Sequence, residues 1–353
     1  MVNDKKFNLI TQGLEEVLTE QDLKKLLAKK VPLKHYIGFE ISGKVHVGTG
    51  LVAMKKVKDF VDAGISPTIF LADWHSWINE KLDGSLPTIK KVALGYFTEA
   101  IKASFLCLGG KPKKLNFVLG SDLYRETPNY WASVVKVADA MTLSRAVRSI
   151  TIMGRKETKD ISLAKLFYPA MQAADMFALG AQIAQAGMDQ RKVHVIARAV
   201  GDKLGQERPV ALHHHLLMGL LKPAGSLEEM KMSKSKPESA VFIHDSSEEI
   251  YAKIKKAFCP PKETELNPIL DWAKHLIFPI SGKLTVSRKK EYGGNSVYQN
   301  FNRLEQDYKE GKIHPQDLKN SVAKTLIDIL EPARKHFKEG QPKKMLEDLE
   351  KLM

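Results

Sequence analysis

The sequence predicts an α/β fold: a Rossmann-like, doubly wound parallel sheet followed by a C-terminal all-helical domain. Two observations carry this. Between Tyr36 and Leu119, short apolar runs of strand length alternate with stretches whose apolar residues recur at helical spacing, the rhythm of βαβ units. Beyond the breaker Cys259-Pro-Pro261 no run reads clearly as a strand, and helical patterns fill the remainder.

The elements follow in order. Thr19-Glu-Gln-Asp22 opens a helix whose apolar stripe is Leu23, Leu26 and Leu27. Tyr36–Phe39 reads as a strand, Gly50–Ala63 as a helix with Leu51, Met54, Val57 and Val61 on one face, and Pro67–Trp74 as a buried strand. A helix over 87–108 leads to a strand at Leu115–Leu119. A helical block at 130–153 and 162–179 comes next, then a strand at 181–184, a helix after Met188 and a strand at 210–214. Ala240–Ile243 reads as one more short strand, and Ser246 caps a helix running to Phe258. Glycine turns at Gly293-Gly294 and Gly311 punctuate the last region, and 335–353 is a charged amphipathic helix or tail. The expected division is a catalytic domain over 1–245, with a helical connecting block at about 125–180, and a helical domain with tail over 246–353. Open parallel sheets bind ligands beyond the carboxyl ends of their strands. His46, Asp73-Trp74-His75 and Gly120-Ser121-Asp122 are therefore expected to face one crevice.

Composition narrows the class. At 353 residues the chain is long enough for a full core and a second domain, which excludes a single small module. No apolar run reaches the length of a bilayer span, and the opening Met-Val-Asn-Asp-Lys-Lys lacks a signal peptide's apolar core, so a cytoplasmic protein without a membrane partner is expected. Cys107 and Cys259 form no metal-ligand spacing, and no metal site is expected in the protein. Lys and Arg outnumber Asp and Glu by 55 to 41, a balance suited to a polyanionic partner such as nucleic acid.

Two segments carry phosphate chemistry. Tyr36-Ile-Gly-Phe-Glu-Ile-Ser-Gly-Lys-Val-His46-Val-Gly48-Thr49 reads as a strand, a glycine-permitted turn and a helix start, which aims His46 and backbone amides at an anion. Lys231-Met232-Ser233-Lys234-Ser235 is a loop whose two ammonium groups can meet charge building on pyrophosphate. A third constellation, Tyr168, Gln172 and Asp175, falls on one face of an otherwise apolar helix, where a phenol, an amide and a carboxylate would be costly without polar partners. The run His213-His214-His215 reads as structural, since neighbours on a strand point to opposite faces.

These segments, with Gly187-Met-Asp-Gln190-Arg-Lys192, resemble the tyrosyl-tRNA synthetases of the archaeal/eukaryotic type, a class I aminoacyl-tRNA synthetase family, and the resemblance covers nearly the whole chain. It implies tyrosine-tRNA ligase activity: L-tyrosine is activated with ATP to tyrosyl-adenylate and pyrophosphate, then transferred to the 3′ end of tRNA(Tyr), with Mg²⁺ carried on the ATP. It further implies a homodimer, and an anticodon-recognition role for the C-terminal helical domain. By the same resemblance, Tyr36 and Asp175 hold the substrate phenol hydroxyl, Tyr168, Gln172 and Gln190 bind its ammonium, and Glu40 and His75 line the tyrosine pocket. Gly38, Phe39, His46, Gly48, Thr49 and the whole of Lys231–Ser235, Met232 and Ser233 included, would bind ATP, with His46, Thr49, Lys231 and Lys234 catalytic. Arg148, Arg191 and Lys192 match positions that meet the acceptor stem, and Tyr292 and Asp317 match anticodon readers. Thr49 departs from the commoner second histidine of the first signature, which puts in question how much of catalysis is carried there.

The residue chemistry agrees with a phenolic substrate. A phenol paired with a carboxylate can donate and accept one hydrogen bond each, which suits a tyrosine hydroxyl and leaves phenylalanine rejected without an editing domain. Three rivals differ in testable ways. A tryptophanyl-tRNA synthetase shares both nucleotide signatures, but an indole offers a donor only. A catalytically silent RNA-binding homologue would form no adenylate. A small nucleotidylyltransferase is excluded by chain length and the C-terminal helical region.

Overall fold

The computed structural model describes residues 4–29, 31–153, 162–223, 230, 232 and 237–353. Six strands make one sheet: β1 (Leu14–Leu18), β2 (Lys34–Phe39), β3 (Ser66–Leu71), β4 (Asn116–Leu119), β5 (Ile183–Gly187) and β6 (Val210–His214), in the order β1-β6-β5-β2-β3-β4. All neighbours run parallel except the edge pair β1–β6. From β2 the chain winds outward through β3 to β4, then returns to the other side of β2 for β5 and β6. The switch point therefore lies beyond the carboxyl ends of β2 and β5, as expected of a doubly wound sheet.

The period-2 alternation of β2 divides the molecule. Ile37 and Phe39 enter one core with the helices Met54–Asp62 and Thr98–Cys107, whereas Tyr36 enters another with Phe70, Tyr130, Tyr168 and Met171. Ile10, Leu23, Phe60, Ile183 and Leu212 form a third cluster, at the β1 side. The first core continues into the C-terminal region, through Ile254, Trp272, Leu318, Leu330 and Leu349.

Most elements lie where the sequence pattern puts them, with instructive exceptions. β1 was not anticipated, because Leu14-Glu-Glu-Val-Leu18 is an edge strand whose pairing with β6 is long-range. The expected strand at 240–243 is a single antiparallel bridge, His46 to Phe242, with Val47 N–H donating to Val241 O at 2.9 Å and Ile243 N–H to Val45 O at 3.0 Å. Its short apolar run makes a clasp under the first signature rather than a ladder. The last region is helical apart from a two-stranded antiparallel hairpin, β7 (Leu284–Val286) and β8 (Ser296–Tyr298). Three-residue strands are too short to show alternation. Pro67–Trp74 ends its strand at Leu71, and Asp73 begins a helix, Asp73–Ile78. Thr19 caps the helix Glu20–Ala28 by accepting from Asp22 N–H, and Ser246 with Glu249 closes a full capping box on Ser247–Lys256. Among the described residues, no helix is long and apolar enough to cross a membrane.

Candidate active site

A cleft of about 560 Å³ opens at the switch point. β2 delivers Tyr36, Gly38 and Phe39 to its wall, and the segment beyond adds Glu40, His46, Gly48 and Thr49. His75 comes from the helix after β3, Tyr168 and Gln172 from the helix Leu163–Ala178, and Gln190 from the turn after β5. Met232 completes the lining; Lys231, Ser233, Lys234 and Ser235 lie outside the described residues.

Behind His75 of the lining, Asp175 is fully buried. Its Oδ1 accepts from the Tyr130 hydroxyl at 2.6 Å, while Oδ2 has no hydrogen-bond partner. His75 Nε2 lies 3.5 Å from that oxygen and is equally unmatched. Burial pushes the Asp175 carboxyl well above the usual carboxylate range and holds the His75 imidazole neutral, down to about 3. Tyr36 packs against the ring of Phe70, and its hydroxyl crosses over Gly38, where any Cβ would come within 2.5 Å of it. A glycine at 38 is what lets the phenol lean into the cleft. An unmatched carboxylate oxygen and an unmatched imidazole nitrogen thus lie close to the Tyr36 phenol, and a ligand hydroxyl would bond them.

Nearer the mouth, Gln190 amide N–H donates to Ile152 O at 2.8 Å, and its Oε1 accepts from Gln172 Nε2 at 3.3 Å. The Gln172 carbonyl oxygen is buried and has no partner, an acceptor open to a ligand N–H. Tyr168 stands edge-on to His75, ring centroids 4.5 Å apart, and donates to Glu40 at 3.4 Å. Glu40 is further held by Asn79 Nδ2 at 2.6 Å and Lys81 Nζ at 3.2 Å.

The opposite side of the cleft is built on the helical segment beginning at Gly48. Thr49 N–H donates to His46 Nδ1 at 3.3 Å, which places the ring's own proton on Nε2 and makes that nitrogen a donor. The Thr49 hydroxyl lies 3.5 Å from that nitrogen. Met232 rests directly on Gly48: a Cβ there would meet its methyl at 2.6 Å and the His46 ring at 3.1 Å. The two signatures, remote in sequence, therefore touch.

The family of the chain follows from a family model for class I tRNA synthetases (W and Y), which matches residues 28–331. The chain belongs to the class I tRNA synthetases. This synthetase is 50% identical over 370 aligned positions to the tyrosine-tRNA ligase of Thermococcus sibiricus, with 98% of each chain covered. It is 52% identical over 350 positions to that of Pyrococcus furiosus, covering 93% of each. The solved tyrosyl-tRNA synthetase of Pyrococcus horikoshii complexed with L-tyrosine superposes with a TM-score of 0.94 at 49% identity, covering 99% of this chain and 100% of that one. A tryptophanyl-tRNA synthetase from Aeropyrum pernix, at 18% identity and a TM-score of 0.68, shares the fold.

Other expected residues of the synthetase lie away from the cleft. Asp73 does not face it: Ser121 bonds the carboxylate by its hydroxyl and, at 3.0 Å, by its N–H, so two of the expected polar strand ends satisfy each other. Arg148, Arg191 and Lys192 share one exposed face, where Lys192 Nζ donates to Arg148 O at 3.0 Å and Arg191 Nε bonds both Glu16 oxygens at 2.9 Å. His213 and His214 are buried and hydrogen-bonded within the sheet, to Glu16 and Gln185. His215 bridges Glu15 at 2.8 Å and Asp271 at 2.7 Å, tying the sheet to the C-terminal region. Tyr292 lies in the hairpin's connecting turn, before Gly293 with φ +92°. Asp317 sits in the first turn of Pro315–His336, whose cap is His314.

Pattern reading missed Tyr130, Asn79, Lys81 and Arg288. The first three act across long sequence intervals, which a periodicity cannot register, and Arg288 bonds within an irregular turn that has no period. Arg288 is the least obvious: it donates to Gly294 O, Ser296 Oγ and Lys312 O, and so holds the hairpin turn bearing Tyr292 beside the start of the helix bearing Asp317.

Proposed function

We propose that this protein is a tyrosine-tRNA ligase that selects its amino acid through Tyr36 of the cleft wall and Asp175 buried behind it. The single observation that supports this most is the unpartnered Asp175 Oδ2, buried beside the Tyr36 phenol. A tyrosine hydroxyl donates to that oxygen and accepts from Tyr36, whereas an indole nitrogen satisfies one of them only. The Gln172 carbonyl oxygen, with Tyr168 and Gln190, then receives the substrate ammonium, and Glu40 and His75 complete the pocket.

Chemistry takes place between this pocket and the first signature. One carboxylate oxygen of tyrosine attacks the α-phosphorus of ATP; an O–P bond forms, the bond to the β-phosphate bridging oxygen breaks, and pyrophosphate leaves with that electron pair. No side-chain nucleophile is needed. His46 Nε2 and the Thr49 hydroxyl donate to phosphate oxygens at the helix start, beside Gly38, Phe39 and Gly48, with Lys231 and Lys234 of the second signature as cations over the leaving group. Mg²⁺ arrives on the ATP phosphates as part of the nucleotide substrate.

For transfer, the exposed basic face with Arg148, Arg191 and Lys192 meets the acceptor stem, and Arg191 must then exchange Glu16 for RNA. Residues 246–353 read the anticodon, with Tyr292 stacking on a base and Asp317 accepting from base N–H groups. The exposed apolar side chains Trp131, Val135 and Leu143, on adjacent helices, suit the contact of a homodimer, and this reading puts the enzyme where translation runs, in the cytoplasm.

Aminoacylation of tRNA(Tyr) tests the reading. The protein is expected to charge it with tyrosine and not with tryptophan. In the same assay Tyr292→Ala is expected to lower charging about tenfold, the worth of one stacked base, while adenylate formation stays at the parent rate. Equal losses in both steps would remove Tyr292 from anticodon reading.

A further inference from the structure

The C-terminal helix Gly340–Glu350 folds back across the chain onto the segment that leads into His46. It does so by two separate routes. On the first, Glu350 Oε1 accepts from Lys44 Nζ at 2.6 Å, two residues before His46. The side chain of the final residue, Met353, lies over the preceding Gly43, 3.5 Å from where a Cβ would stand. On the second route, Met345 packs on Gly95, whose φ of −91° and ψ of −107° break the helical run Leu86–Cys107 at that point. The neighbouring Tyr96 is buried, and its hydroxyl accepts the Val45 backbone N–H at 2.9 Å. Leu349, fully buried between the two contacts, anchors the helix in the main core.

Both routes end on the same dipeptide, Lys44-Val45. Gly43, at φ +109°, gives the loop a conformation that glycine adopts at little cost, so its direction is not fixed by its own backbone. We propose that the C-terminal helix is a brace for the nucleotide loop, and that Glu350 and Met345 are positioning residues for ATP activation. Neither touches the substrate. They fix the backbone from which the His46 ring is presented, so the geometry of the phosphate site depends on the last residues of the chain. The proposal rests on the reading of His46 as an ATP-binding residue.

Steady-state ATP–pyrophosphate exchange tests it, with ATP and tyrosine varied separately and the melting temperature measured on each variant. Glu350→Lys sets two cations against each other at a partly exposed position. It is expected to lower kcat/KM for ATP about fivefold, the scale of one surface ion pair, with KM for tyrosine and the melting temperature unchanged. Lys44→Glu introduced into the same chain is expected to restore the parent value. Met345→Ala, acting by the other route, is expected to lower the same quantity with KM for tyrosine again unchanged. The brace is overturned if both variants leave kcat/KM for ATP at the parent value, if the charge exchange does not restore it, or if the loss appears equally in tyrosine binding. The parent chain is the control that separates the two ideas: no exchange there removes the enzymatic reading itself, whereas parent exchange with unaffected variants removes the brace alone.

Discussion

Asp175→Asn is expected to lower kcat/KM for tyrosine in adenylate formation about a hundredfold, the cost of leaving a buried hydroxyl donor without its acceptor. Phenylalanine has no hydroxyl to lose, so its kcat/KM is expected to change little, and discrimination between the two falls by the same factor. Tyr130→Phe, which removes the hydrogen bond that aims the carboxylate, is expected to act in the same direction with about a tenfold loss. Measuring both substrates on both variants checks the pair, and unchanged tyrosine activation in Asp175→Asn would take the carboxylate out of the pocket.

The same substitution carries a stability signature of opposite sign. Burial holds the Asp175 carboxyl well above its unfolded range, so the folded state binds that proton more tightly than the unfolded chain does. Stability is therefore lost as pH rises from the ordinary carboxylate value, about 4, through the folded one. The neutral asparagine escapes that loss, and its amide can donate to His75 Nε2. Asp175→Asn is expected to be more stable than the parent at pH 8 by about 1–3 kcal/mol, the cost of a buried polar atom left unmatched, with the gain vanishing near pH 4. Thermal unfolding at the two pH values checks this. A parent protein that is the more stable at pH 8 would mean that Oδ2 as well as Oδ1 has a partner in the folded state.

His46→Ala is expected to reduce the rate of adenylate formation by about 10²–10³, as losing one preorganised donor to developing phosphate charge does elsewhere. Tyrosine affinity should stay at the parent value, because the phenol and ammonium sites are built from other elements. Single-turnover formation of adenylate, alongside equilibrium binding of tyrosine, separates the two. Thr49→Ala should cost less, because the backbone N–H that orients the imidazole survives it.

The parallel sheet and its switch point are legible in the sequence because central strands and their covering helices have strong periods. So is the stripe Tyr168, Gln172 and Asp175, since it lies within one helix. What escapes pattern reading is what depends on distant partners. β1 is specified by its ladder with β6 rather than by its own residues, and β7 and β8 are too short to alternate. Asp73 carries the same signal as His75 at a strand end, yet it turns to Ser121 because a buried carboxylate takes the donors nearest to it. Tyr130 and Asp175 meet across two helices, and nothing local to either marks the contact. The C-terminal stretch reads in sequence as a charged amphipathic helix or tail, and it is a helix, but its burial at Leu349 and the tie of Glu350 to the first signature depend on distant partners.

Amino-acid-dependent ATP–pyrophosphate exchange, run against all twenty amino acids separately, tests the central claim most directly. Exchange supported by tyrosine alone is the expected result, and it follows from the buried, unpartnered Asp175 oxygen and the Tyr36 phenol of the cleft wall. Exchange supported by tryptophan in place of tyrosine, or by no amino acid with folded protein, would contradict it.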